Sequence, residues 1–391
     1  MTKSLLKQFG RRIRVGFVGG GIDSIIGSTH LSALRLDGKY ELVAGVMSVD
    51  KKISKMSAFE QLIKNNRIYS DYKEMAEKES MLKNKIDVIV ILTPPNLHAK
   101  IANFYLNKGF NVICEKPSSL NLNESIKIKE NIKKNKKLFL LNLCYTAYPL
   151  VREARQLVRK GKLGKILLIE SELCAGIPNN PKDKNNKSGN HFRFSKKMGK
   201  EILLTEVGSH PFSLVSFITD LKIKKLSANL QILTKGRNVF DNGYITSEYN
   251  NGAIGRTWVS YVAQGNDHGL SFRIYGEKGG LIWNQEDPNS LFFKQNNLPV
   301  KIYKPAHNSL DKLSQFSSRL RPGHPEGLLS AFANLYSEFA EVFFSKELNQ
   351  KKYPNYFDIL PGIDNGIEIN KIIKSSIKSN KNFGKWVNIY L

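Results

Sequence analysis

Apolar and polar positions follow two rhythms along this chain. Through the first third, residues 12–18, 40–47, 86–92, 111–114 and 138–143 form short, nearly continuous apolar runs, as expected of strands buried on both faces. Between them, residues 25–36, 54–64, 72–83, 98–108 and 124–135 carry apolar positions along one helical side. Strands alternating with helices predict βαβ units and a mostly parallel sheet. After about residue 145 the rhythm changes. A helix over 149–159 and a strand over 165–173 precede a polar Asn/Lys/Pro-rich stretch at 178–190. Strand-like pieces then recur at 225–233, 242–249, 254–262, 270–276 and 280–285, some separated by Asn250-Asn251-Gly252 or Glu277-Lys278-Gly279. That spacing predicts an antiparallel meander. Amphipathic helices are expected late, over 332–344 and 363–376. Two domains are therefore expected, over residues 1–145 and 146–391.

Composition narrows the class. Across 391 residues, 41% are hydrophobic and 24% charged, the balance of a globular protein with an ordinary core. No apolar run reaches the roughly 18–20 residues that cross a bilayer, so no membrane partner is expected. Residues Met1–Arg14 are basic but lack the apolar segment of a secretory signal. Cys114, Cys144 and Cys174 are too few and too scattered for a disulfide framework or a zinc site. A cytoplasmic setting without a metal is the expectation. Lys and Arg total 60 against 34 Asp and Glu, a net charge of +26 that would suit a nucleic-acid binder. The basic residues, however, are spread in short pieces such as Lys133-Lys134-Asn135-Lys136-Lys137, with no basic arm, zinc finger or RNA-binding aromatic motif. A solvated basic surface, and no specific nucleic-acid partner, is the reading this supports.

Four segments carry candidate chemistry. Gly19-Gly20-Gly21-Ile22-Asp23-Ser24 follows a strand and opens a helix, the context of a dinucleotide fingerprint. Gly19 and Gly21 supply the tight turn and close backbone approach, and the helix start supplies N–H groups for a pyrophosphate. Ser24 holds the third position of the pattern, leaving Gly27 for the close helix contact. At the end of the second strand, where a carboxylate usually binds the ribose diol, stands Ser48, with Asp50, Lys51 and Lys52 just beyond. That arrangement leaves NAD and NADP both open. Thr93-Pro94-Pro95-Asn96-Leu97-His98 ends the third strand, and its prolines force a turn. The fourth strand runs into Cys114-Glu115-Lys116-Pro117. A lysine is thereby placed at a strand's carboxyl end, where open α/β sheets bind ligands, followed by a proline that can take a cis peptide.

With Glu206-Val207-Gly208-Ser209-His210, Tyr275-Gly276-Glu277-Lys278-Gly279-Gly280 and Gly323-His324-Pro325-Glu326-Gly327, these segments resemble the glucose–fructose oxidoreductase/inositol dehydrogenase (Gfo/Idh/MocA) family over nearly the whole chain. The resemblance implies an α/β fold: an N-terminal Rossmann dinucleotide-binding domain and a C-terminal α/β domain with an open, mostly antiparallel sheet. It also implies NAD(P)-dependent oxidation of a secondary hydroxyl on a sugar, sugar derivative or cyclitol, by a homodimer or homotetramer. Lys116 matches the family lysine that meets nicotinamide and substrate, and His210 the histidine proposed as acid/base, together a proton relay. Glu206 stands where the family commonly has Asp, so its carboxylate is displaced by about a bond length. Four residues apart on a helix, Glu206 and His210 would share a face.

An imidazole starts near ~6.5, suited to withdrawing a hydroxyl proton as hydride leaves. Expected cofactor contacts are Gly19, Gly21, Ile22, Asp23, Ser48, Thr93, Pro94, Asn96, His98, Glu115, Lys116 and Asn142, with Glu115 anchoring the loop or the lysine. Expected substrate contacts are Lys116, Tyr145, Arg193, Glu206 and His210, with Tyr148, Arg152 and His191 further candidates. Two other functions fit the same residues. One is NAD-dependent glycoside hydrolysis, in which transient oxidation permits elimination and later re-reduction. The other is a non-catalytic, cofactor-sensing regulator, against which the retention of both Lys116 and His210 argues.

Overall fold

The structure, a computed structural model, describes residues 4–176, 199–350 and 358–389. The chain divides into two compact units: residues 1–144 with 332–367, and residues 145–331 with 368–391.

In the first unit, β1 (Ile13–Gly19), β2 (Tyr40–Val46), β3 (Val88–Leu92), β4 (Asn111–Glu115) and β5 (Phe139–Asn142) form a parallel sheet in the order β2-β1-β3-β4-β5. Val88 to Leu92 are all buried, as a strand covered on both faces must be. Helices connect the strands, so all five carboxyl ends lie along one edge, and the order reverses between β1 and β3. Such a switch point is where open α/β sheets leave a crevice.

Two helices start three residues earlier than periodicity alone predicts, each for a local reason. Asp50 accepts hydrogen bonds from Lys52 N and Ile53 N, capping a helix that begins at Lys51. Pro94 and Pro95 stand at the cap and first position of the helix Pro95–Asn107, where a missing N–H costs nothing. The segment 332–367 groups with this unit, which periodicity along the sequence could not reveal. Tyr40 donates to the carbonyl of Tyr336 at 2.6 Å, and Lys39 reaches Ser337 Oγ and Glu341.

In the second unit, β6 (Ile166–Cys174), β7 (Ile223–Gln231), β8 (Asn242–Tyr249), β9 (Ile254–Ser260), β10 (Ser271–Gly276), β11 (Gly279–Asn284), β12 (Asp287–Lys294), β13 (Lys301–Tyr303) and β14 (Val387–Asn388) form one sheet. The order is β13-β12-β11-β10-β6-β9-β8-β7-β14, antiparallel except between β6 and β9. β12 escapes the sequence pattern because Asp287, Pro288 and Asn289 open it, residues tolerated near a sheet's margin. Ile169, Ile245, Val259, Phe272 and Ile274 turn one face inward, and the helix Ser209–Thr219 packs on the sheet. Alternation puts Glu170, Tyr244, Arg256 and Arg273 on the other face. There Arg256 bonds Glu170 at 2.9 Å, and Tyr244 stacks on Trp258. Among the described residues, no helix is long and apolar enough to cross a membrane.

One charged cluster fixes the first unit's core. Glu79 is fully buried, accepts from Arg67 Nε at 2.9 Å and Nη2 at 2.5 Å, and also accepts from Tyr69 OH and Ile86 N. Removing one partner of a buried pair leaves the other charge uncompensated. We therefore expect Glu79→Gln to lower stability by about 3 kcal/mol, read as a lower urea midpoint. An unchanged midpoint would show that the pair does not hold the core.

Candidate active site

The glycine turn is built for close approach. Gly19 has φ 82°, and a Cβ there would lie 2.6 Å from the Leu92 carbonyl oxygen. A Cβ on Gly27 would lie 2.3 Å from the Gly20 carbonyl oxygen, so the helix Gly27–Leu36 is seated against the turn itself. Ser24, in the third position of the pattern, accepts from Gly27 N at 3.1 Å. Gly21 N donates to Met47 O and Ile22 N to Ser57 Oγ, tying the turn to the end of β2. Ser48 Oγ donates to Asp23 Oδ2 at 2.9 Å. Asp50 is committed to its helix cap, so the carboxylate beside the end of β2 comes from the glycine turn. A turn without side chains and an acceptor pair beside β2 fit the pyrophosphate and ribose diol of a dinucleotide.

Thr93, Pro94 and Asn96 follow β3 at the same edge, and Thr93 Oγ1 is buried without a hydrogen-bond partner among the described residues. His98 is turned into the fold. Its Nδ1 lies 2.6 Å from Pro117 O and its Nε2 2.7 Å from Thr93 O, bracing the ends of β3 and β4 against each other. The Lys116–Pro117 peptide is cis.

Glu115, at the end of β4, is the hub of this edge. Its Oε2 accepts from Lys116 N at 3.0 Å, and its Oε1 accepts from His30 Nε2 at 2.9 Å and from the Asn142 amide. Burial alone would push this carboxyl up. The hydrogen bond and charge of His30, the Lys116 charge and the Asn142 amide outweigh it and hold the pKa below the usual carboxylate range. An ionised carboxylate only accepts, so His30 Nε2 carries a proton. On the other side of the ring, His30 Nδ1 pairs with Tyr336 OH, 2.8 Å away. Burial pushes the Tyr336 phenol well up, which keeps it protonated.

In the second unit, Glu206 lies in a π-helical turn, Leu204–Gly208, that leads into the helix Ser209–Thr219 carrying His210. The expectation of a plain helix here is corrected. Inserting a wider turn re-aims side chains and is a frequent device at functional sites. Glu206 and His210 are both buried, each 8% exposed. Tyr145 stands edge-to-face with His210, ring centroids 4.7 Å apart, and its hydroxyl is 2.8 Å from His268 Nε2. Tyr148 stacks on Tyr145 and abuts Trp283. Arg152 is held in the fold, its Nη1 donating to Ser317 Oγ at 2.6 Å. Arg193 and His191 lie outside the described residues.

The structure thus gathers Glu115, Lys116 and Asn142 at the β4–β5 edge of one unit, and Tyr145, Tyr148 and His210 in the other. Sequence reading missed His30, Tyr336 and His268. The only signal for His30 was its place one turn after Gly27.

Family models and solved structures match the fold of both units. The family model described as "Oxidoreductase family, NAD-binding Rossmann fold" matches residues 13–143, and "GFO/IDH/MocA C-terminal domain" matches residues 151–282. A crystal structure of an oxidoreductase from Sinorhizobium meliloti is 34% identical, with a TM-score of 0.85, covering 96% of this chain and 99% of that one. An inositol dehydrogenase homolog from Azotobacter vinelandii, complexed with NAD+, is 29% identical, with a TM-score of 0.91 and coverage of 97% and 98%. The same homolog has also been solved with NADH and myo-inositol. The uncharacterized oxidoreductase YfiI of Bacillus subtilis is 27% identical over 379 residues, 96% of each chain.

The Glu115 hub makes a pH prediction. A carboxyl whose folded pKa is depressed contributes stability above its unfolded pKa and loses it as pH falls through the folded value. In His30→Leu the burial penalty dominates and the Glu115 carboxyl is no longer held low, so the variant is less stable than the wild type near neutral pH and the gap between them narrows as pH falls and the wild type loses its Glu115 contribution. Unfolding midpoints measured between about pH 3 and pH 7 check this. Parallel curves for the two proteins would contradict it.

Proposed function

Because the chain belongs to the GFO/IDH/MocA oxidoreductase family, we propose that it oxidises a secondary hydroxyl of a sugar, sugar derivative or cyclitol. The observation that carries this reading is Lys116, presented at a sheet edge suited to a dinucleotide by a carboxylate that grips its backbone. When bound, the nicotinamide supplies the hydride acceptor. The chain's own residues handle the proton. Lys116 and His210 hydrogen-bond the reacting hydroxyl and take up its proton as the alkoxide develops, and Glu206 supports His210. Tyr145 and Arg193 hold the remaining hydroxyls. Gly19, Gly21, Ile22, Asp23, Ser48, Thr93, Pro94, Asn96 and Asn142 would hold the cofactor. His98 and Glu115 serve it indirectly, by fixing the strand ends and the lysine loop. The reaction takes place in the cytoplasm, in a homodimer or homotetramer whose subunits meet through the Tyr244/Trp258 face of the second unit's sheet.

The cofactor is NAD rather than NADP on this reading. Asp23, bonded to Ser48 beside the end of β2, would set a carboxylate against a 2′-phosphate, and like charges there would raise the cost of binding. We expect NAD to be preferred in kcat/KM, and Asp23→Asn to narrow the preference. An NADP preference in the wild type would contradict the assignment.

Nicotinamide absorbance tests the reaction with the full chain, both cofactors and a panel of myo-inositol, D-glucose, D-xylose and an aryl glycoside. Net NADH formation from a polyol supports the dehydrogenase. Release of the aryl group without net NADH would instead establish redox-assisted glycoside hydrolysis. Lys116→Ala is expected to lower kcat by about 10²-fold or more while still binding NADH, as followed by fluorescence. Undiminished turnover would sink the role of Lys116.

A further inference from the structure

The contacts around His210 lead away from the helix that carries it. Tyr145 meets the imidazole edge-to-face, with ring planes at 89°. Such a contact holds the imidazole plane only while the tyrosine ring is itself held. Two elements hold it. The ring stacks with Tyr148 at 6.1 Å, their planes 5° apart, and Tyr148 packs on fully buried Trp283. The hydroxyl is bonded to His268, in the loop of residues 262–269 between β9 and β10. That loop is pinned from the far side of the next hairpin. Glu286 Oε1 accepts from Gly269 N at 2.8 Å and His268 N at 2.9 Å, bonds that hold its carboxyl below the usual range. An ionised Glu286 therefore sets the His268 backbone, and the His268 ring sets the Tyr145 hydroxyl.

We propose that His268 is a positioning residue for His210, acting through the Tyr145 hydroxyl and ring. It rests on the reading of His210 as a proton-handling group, and it adds a residue from a polar loop outside every motif in the sequence. An imidazole that accepts a proton from a substrate hydroxyl must present one nitrogen along the hydrogen-bond direction. A tilt of the Tyr145 ring would turn that nitrogen away without unfolding anything.

Three variants of the full chain isolate the link. His268→Phe removes the bond to Tyr145 and keeps an aromatic ring in the loop. His268→Gln returns an amide to the same hydroxyl. Tyr145→Phe removes the bond from its other end and keeps the ring contact. Ring resonances of the 15N-histidine-labelled chain report on His210 without substrate, its signals identified by their loss in His210→Asn. They are expected to shift in His268→Phe and in Tyr145→Phe, to stay near wild type in His268→Gln, and to shift no further in the double variant. Turnover of whichever panel polyol is oxidised should fall about tenfold in kcat in His268→Phe, with cofactor KM unchanged, and recover in His268→Gln. Unmoved His210 resonances in His268→Phe, additive shifts in the double variant, or a lost response to NADH would overturn the proposal. Full turnover by His210→Asn would sink the functional reading alone, since the resonance shifts report the positioning link independently.

Discussion

A carboxylate that leaves water must find donors, and in this protein that requirement organises the first unit around Glu115. The side chain sits where β4 ends and the Lys116 loop begins. Its oxygens gather the backbone of the following residue, an imidazole from the helix Gly27–Leu36, and an amide from the end of β5. Tyr336, more than two hundred residues on, completes the chain by bonding the far side of His30. The penalty for burying a charge without partners makes each of these donors necessary, and together they fix the direction in which Lys116 leaves the strand. The parallel sheet makes this possible, because it brings the ends of β1, β3, β4 and β5 to one edge.

Much of this was legible in the residues. Nearly continuous apolar runs of four to eight residues located the five parallel strands, because buried strands admit little else. The glycine turn was legible because close approach forbids side chains, as Gly19 and Gly27 show. Asp50 and Pro95 carried helix-start signals that periodicity alone misses, and they account for the earlier helix boundaries. The Glu115-Lys116 step was legible as chemistry, and the anchoring role read for Glu115 matches its hydrogen bonds.

What stayed hidden depends on distant partners. His30 reads as one more residue on a buried helical face, and only the fold brings it to Glu115 and Tyr336. His268 lies in a polar loop whose composition suggests solvent, and its meaning comes from Tyr145, 123 residues earlier in the chain. The π-turn at Leu204–Gly208 has no pattern of its own, since the same residues also suit an ordinary helix. The grouping of 332–367 with the first unit was hidden for the same reason, because an amphipathic helix does not say which core it covers. The net charge of +26 did not resolve into a binding patch by sequence. Several of its basic groups pair with carboxylates, Arg11 with Asp87 and Lys39 with Glu341 among them.

The central claim is that hydrogen leaves a carbinol carbon of the substrate for the nicotinamide while side chains take the proton. Incubating the full chain and NAD with C-deuterated myo-inositol and D-glucose, and then isolating the reduced cofactor for mass spectrometry, follows that hydrogen directly. Deuterium in the reduced nicotinamide is the predicted result. A reduced cofactor without deuterium, or no reduction at all, would contradict the account.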